Sequence, residues 1–183
     1  TVGETPVTIF KPRSDGAAPV VVIAHGFAGS QQLMQPFAQT LAKNGYIAVT
    51  FDFLGHGRNP LPMRGDITEG ETITAALLRE LTDVAASVRR LPGSDGRVAV
   101  LGHSMASDIV VRFAQANPDV KATVAVSVFS PGVTPTSPRN LLVIVGAIEP
   151  AMLQNEGLRI VNLSAGGTAV AGTTYGAFRD GTA

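Results

Sequence analysis

The sequence predicts an α/β protein: a mostly parallel central sheet with helices on both faces. Three observations lead there. Short apolar runs of strand length alternate along the chain with longer stretches of helical periodicity. The runs are apolar almost throughout, the pattern of strands covered on both faces. Strand and helix also follow one another in turn, as crossover connections between parallel strands require.

Val7–Phe10 reads as an early strand, a candidate for the sheet edge, ended by Pro12. Val20–Ala24 is β-rich and continuous, the signature of a central strand. Over Gln31–Asn44, Leu33, Phe37, Leu41 and Ala42 fall on roughly one helical face, and Gly45 supplies the stop. Tyr46–Phe51 is the next strand, followed by a loop rich in Gly and Pro from Asp52 to about Gly70. Thr72–Leu91 is helical, apolar at Ile73, Leu77, Leu81, Val84 and Val88, and closed by Pro92-Gly93. Val98–Leu101, Thr123–Val128 and Leu141–Val145 read as strands, with a helix over Met105–Ala116. The last twenty residues are small, polar and weakly patterned, and read as loop or frayed tail.

The chain has 183 residues, 45% of them hydrophobic and 15% charged, with a formal net charge of zero. A chain of that length hides roughly 70% of its unfolded-state surface, so one globular domain, 1–183, is expected and disorder is not. Fourteen basic residues balance fourteen acidic ones without a run of either sign, so the electrostatic footprint of a nucleic-acid or anionic-membrane binder is missing. Without cysteine there is no disulfide, thiolate zinc site or cysteine nucleophile, and the compartment stays open. The longest apolar runs are far too short to span a bilayer. Thr1 is not an initiator residue, which leaves room for a removed leader or anchor.

Chemistry concentrates at Gly102-His103-Ser104-Met105-Ala106, where a strand meets a helix. It is the G-x-S-x-G pattern with alanine last. Such a turn is so tight that the serine backbone is strained, and small residues must flank it. A five-residue match is common by chance; its place between strand and helix is what gives it weight. Ser104 Oγ would project from the carboxyl edge of the sheet, at a helix amino end that favours developing negative charge.

Further segments agree in order. His25-Gly26-Phe27 follows the first long strand, Asp52-Phe53-Leu54-Gly55-His56-Gly57 follows the next, and Gly146-Ala147-Ile148-Glu149-Pro150 follows a late strand. Together with the elbow they resemble the α/β-hydrolase superfamily over roughly Val7 to Leu153. The HGF opening and the lack of a large insertion are similar to its dienelactone-hydrolase and small-serine-esterase branch.

The resemblance implies roles by position. Ser104 is the nucleophile. The backbone amides of Phe27 and Met105 form the oxyanion hole, each donor worth on the order of 10²–10³ in rate, and both residues border the substrate. Glu149 stands where the orienting carboxylate belongs, the alternative being a solvated loop carboxylate. Phe27, Phe53, Met105 and Phe129 are candidate pocket walls or plain core. The short segment between Val128 and Leu141, stiffened by Pro131, Pro135 and Pro138, leaves no room for a helical lid, although the Pro60–Gly70 loop could cover part of the pocket. An open site suits small or medium soluble esters and lactones better than long-chain lipids.

A serine nucleophile also needs a general base, which the family supplies as a histidine after the final strand. The only histidines here are His25, His56 and His103, none beyond Glu149. Each reads as structural, in the oxyanion segment, the glycine turn and the elbow respectively. The resemblance therefore implies an incomplete hydrolase domain, its final strand, helix and base missing, nearly inactive as it stands, with an unpaired sheet edge that gives either association, as in a homo-oligomer, or poor stability. Asp108 reads as a helix-dipole residue and Asp52 and Asp95 as turn residues. No metal-binding spacing, P-loop or dinucleotide fingerprint occurs, so no metal or other cofactor is expected. A non-catalytic member of the fold that binds a ligand or partner is the alternative.

Overall fold

A computed structural model of the chain describes residues 1–13, 15–63, 70–128, 138, 140–163 and 168–172. Its strands are β1 (Val7–Phe10), β2 (Ala18–Ala24), β3 (Ile47–Phe51), β4 (Ser94–His103), β5 (Thr123–Val126), β6 (Leu141–Gly146) and β7 (Thr168–Gly172). The helices are α1 (Gln35–Lys43, entered through a 3₁₀ turn at Gln31–Met34), α2 (Gly70–Val88), α3 (Met105–Ala116) and α4 (Ala151–Leu163). The strands form one sheet in the order β1-β3-β2-β4-β5-β6-β7. Only the β1–β3 pair is antiparallel; every other pair is parallel.

Side chains on β2 alternate between two cores, as strand geometry demands. Val20, Val22 and Ala24 pack with α2 and α3, joined by Val49, Phe51, Val98 and Val100. Val21 and Ile23 face α1 on the other side, with Ala48, Leu101, Val126 and Ile144. Beyond β4 the first face continues with Val111 of α3, Ala125, Val143, Val145 and Ile160 of α4. Helices thus cover both faces, α1 on one and α2, α3 and α4 on the other.

The fold class is the expected one, and the strands and helices read from the sequence are present with small shifts at their ends. The region after β6 differs. The final strand was expected to be missing and the last twenty residues to be loop or tail, yet β7 pairs with β6 from Leu142↔Thr168 to Gly146↔Gly172, reached through α4; the expected loss of a closing helix falls after Gly172, outside the described residues. Two features concealed α4 and β7. Gly157 lies mid-helix, where glycine ordinarily weakens the pattern; here a Cβ would fall 2.8 Å from Val145 Cγ2 and 3.1 Å from Val143 Cγ1, so its bareness lets α4 lie close on β6. Thr168–Gly172 consists of small residues without alternation.

Residues 64–69, Phe129 and the remainder of the short segment before β6, apart from Pro138 and Asn140, lie outside the described residues. Among the described residues no helix is long and apolar enough to cross a membrane.

Candidate active site

β4 ends at His103 and α3 begins at Met105, so Ser104 carries the whole reversal of direction. Its backbone sits at φ 53°, ψ −120°, a conformation that costs a non-glycine residue about 1–3 kcal/mol and persists only where the surroundings enforce it. They do. The Ser104 N–H donates to Val126 O at 2.9 Å, and its carbonyl accepts the Ser107 N–H at 2.8 Å. Gly102 permits the turn: a Cβ there would lie 2.2 Å from the Ala106 carbonyl oxygen, in the first turn of α3. Ser104 itself is exposed, at the amino end of α3.

The turn after β2 presses against this elbow. A Cβ on Gly26 would come within 3.0 Å of Ser104 Cβ and 3.2 Å of the His103 carbonyl oxygen, so only a bare residue allows the approach. Phe27 follows and is 70% exposed, its ring edge-on to His56 at 5.6 Å between centroids. The Met105 side chain packs toward the α2–α3 core. Its backbone amide heads α3 beside Ser104.

Two buried groups fix the Gly26 turn to the loop after β3. The Phe53 N–H donates to His25 Nε2 at 3.1 Å, which leaves Nδ1 to carry the proton toward Gly26 O at 2.8 Å. Burial lowers the His25 pKa, only partly countered by the Gly26 carbonyl and Asp52. Asp52, read from the sequence as a turn residue, is a hub only 1% exposed. It accepts the Gln31 backbone and side-chain N–H groups, both at 2.7 Å, and the Arg58 N–H at 3.2 Å. Burial works to raise the Asp52 carboxyl, but these donors outweigh it and hold the pKa below the ordinary value. A second hub went unread in the sequence: Glu80 accepts from Thr5 Oγ1 at 2.6 Å, the Leu54 N–H at 2.7 Å and Asn59 Nδ2 at 2.7 Å.

Glu149 lies beyond β6, half-buried, in a turn closed by its own N–H to Gly146 O at 3.1 Å. Its carboxylate accepts the Ser127 hydroxyl and, at 3.2 Å, the Gly146 N–H. It borders a cavity of about 360 Å³ with apolar walls from Leu33, Met34, Phe37, Val126 and Ile144, and with His103 and Ser127 beside it. Burial lowers the His103 pKa against the pull of the Glu149 charge. Of the candidate walls, Phe53 is fully buried in the core, and neither Phe27 nor Met105 borders this cavity. The observed walls belong to the α1 face and the ends of β5 and β6, which helical periodicity alone marks only as core. His56 Nδ1 faces Leu54 O at 3.0 Å, so His25 and His56 are both held by backbone groups. Asp108 pairs with Arg112 at 2.9 Å and Asp95 with Arg97 at 2.6 Å. Among the described residues no group of three or more His, Asp and Glu could hold a metal ion.

The profile of the family described as serine aminopeptidase, S33, matches residues 16–165, most of the chain. The chain belongs to that family of α/β-hydrolases. This α/β-hydrolase is similar to Cutinase est1 of Thermobifida alba, at 31% identity over 64% of the chain and 37% of the relative. It is also similar to Cutinase 2 of Thermobifida cellulosilytica, at 29% identity over 76% of the chain and 51% of the relative. It thus spans about half or less of the length of these curated relatives. Among solved structures, Est1E from Butyrivibrio proteoclasticus superposes with a TM-score of 0.76 at 15% identity, over 91% of the chain and 84% of its own. The enol-lactonase from Burkholderia xenovorans LB400 also gives 0.76, at 13% identity, over 97% of the chain and 92% of its own. Both likenesses concern the fold.

Proposed function

We propose that this α/β-hydrolase carries the nucleophile, oxyanion hole and orienting acid of a serine hydrolase acting on carboxylic esters or lactones. The observation that carries the reading is Ser104: exposed, held in a left-handed backbone at the head of α3, with the Gly26 turn packed against it. Ser104 Oγ attacks the acyl carbon, the carbonyl oxygen gathers negative charge, and the alcohol departs to leave an acyl-enzyme that water then hydrolyses. The Phe27 and Met105 backbone amides receive the oxyanion, so both residues meet the bound substrate through the main chain at its reacting carbonyl, outside the cavity beside Glu149. Glu149 orients an imidazolium, as either acid can in triads of this fold.

The proton of Ser104 needs an acceptor, and no histidine follows His103 in the sequence. His25 and His56 are engaged with backbone groups. The chain as it stands therefore turns over slowly, by a factor of about 10⁴ or more relative to an enzyme with its base. The similarity to cutinases supports an ester as the small-molecule substrate. The cavity beside Glu149 has room for a modest acyl or alcohol group.

The test is hydrolysis of p-nitrophenyl acetate by the full-length encoded protein and its Ser104→Ala variant. The reading expects the variant to lose nearly all activity; equal rates discard the serine mechanism. The backbone engagement of His25 and His56 favours a second reading, a ligand-binding member of the fold without turnover. Saturable binding of p-nitrophenyl acetate without release of p-nitrophenol would select it.

A further inference from the structure

Ser127 is, with Ala28, Ser104 and Asn140, one of four non-glycine residues that the described chain holds at positive φ, here 53°. Glycine would take that conformation without strain, and asparagine at little cost. The backbone alone therefore gives no reason for serine. The hydroxyl does, because it donates to Glu149 Oε1 while the Gly146 N–H donates to Oε2. The position is anchored from both sides: the Ser127 N–H donates to Ile144 O at 2.8 Å, and the preceding residue, Val126, accepts the Ser104 N–H at 2.9 Å. The end of β5, Val126, and the residue after it, Ser127, thus tie the elbow to the carboxylate through two consecutive residues. A glutamate carries one more rotatable bond than an aspartate, so an acid at this place has more rotamer freedom to lose. Two donors occupy two of its four lone-pair sites and leave the others for a partner in the cavity.

We propose that Ser127 is a positioning residue that sets the Glu149 carboxylate for catalysis. This rests on Glu149 being the orienting acid.

The experiment compares the full-length encoded protein with Ser127→Gly, Glu149→Gln and the double variant, by p-nitrophenyl acetate kinetics and thermal midpoint. Ser127→Gly is expected to lower kcat about tenfold, the scale of one hydrogen bond to a charged group, with KM within about twofold. Its midpoint should lie near that of the parent, since relief of the left-handed backbone offsets much of the lost hydrogen bond. In the Glu149→Gln background the same change should add less than about twofold. A Ser127→Gly enzyme with full kcat, beside a crippled Glu149→Gln, overturns the proposal and spares the role of Glu149. Equal losses from Ser127→Gly in both backgrounds mean a merely structural serine, and overturn it too. Full activity in Glu149→Gln removes the acid's role, and the proposal falls with it.

Discussion

Gly26→Ala isolates the contact between the Gly26 turn and the nucleophile. The added methyl carbon would sit 3.0 Å from Ser104 Cβ, 3.2 Å from His103 Nδ1 and 3.2 Å from the His103 carbonyl oxygen. Carbon pairs settle at about 3.5–4.0 Å, so the shortfall is about 0.5–1 Å. Neither Ser104 Cβ nor a strand carbonyl can rotate away, so the turn must back off by about that amount. Overpacking on this scale costs about 1–3 kcal/mol, a fall in melting temperature of about 2–12 °C for a chain of this size. The catalytic loss should be larger in proportion. Displacing an oxyanion donor by about 1 Å costs on the order of 10²-fold in rate. The assay is p-nitrophenyl acetate hydrolysis by the full-length encoded protein, with thermal melting alongside. Gly45→Ala is the control: its φ is +90° with nothing within 4 Å of a Cβ, so it should lower stability and leave kcat alone. A Gly26→Ala enzyme with parental kcat would refute the juxtaposition of turn and nucleophile.

Other outcomes follow from the same contacts. Gly102→Ala puts a methyl 2.2 Å from a backbone oxygen of α3; the loss should reach about 4 kcal/mol or more, so a cooperative melt near the parental temperature would contradict the packing of the elbow. Asp52 has its carboxyl pKa held below the ordinary 3.8, so the unfolded chain binds more protons there. The stability it confers is complete above that value and is lost as pH falls through it toward the native pKa; Asp52→Asn should flatten the acid limb of a urea-midpoint profile, and an unchanged limb would count against the hub. His25 and His103 both have pKa values lowered from 6.5. Unfolded rings take protons that the native ones resist, so stability is complete above about 6.5 and declines as pH falls below it. A melting temperature constant from pH 7.5 to 5.5 would contradict their burial.

The layered architecture was legible because each central strand is short, apolar and β-rich, and because α1 and α2 carry clear stripes. Ser104 was legible for a different reason: the elbow's steric demands leave a local pattern, Gly102 and Ala106 flanking it, that needs no knowledge of distant residues. Gln31, Glu80 and Ser127 left no such trace. Gln31 looks like the exposed start of a helix, yet its side chain reaches Asp52 across a sequence gap of 21 residues. Glu80 occupies a helix otherwise read for its apolar face, and its three partners come from two separate loops. Ser127 lies where a strand simply ends, and only the return of β6 brings Glu149 to it. Polar networks between distant segments have no periodicity, so the sequence could show their members only as ordinary surface residues. The helix α4 was lost through Gly157, whose breaker signal conceals a close approach to β6.

Mass-spectrometric mapping of a fluorophosphonate adduct bears most directly on Ser104 as a nucleophile. After treatment of the full-length encoded protein, one adduct is predicted, on the peptide containing Ser104, and none in Ser104→Ala. Modification at another residue, undiminished labelling of the variant, or no adduct on the parent would contradict that role.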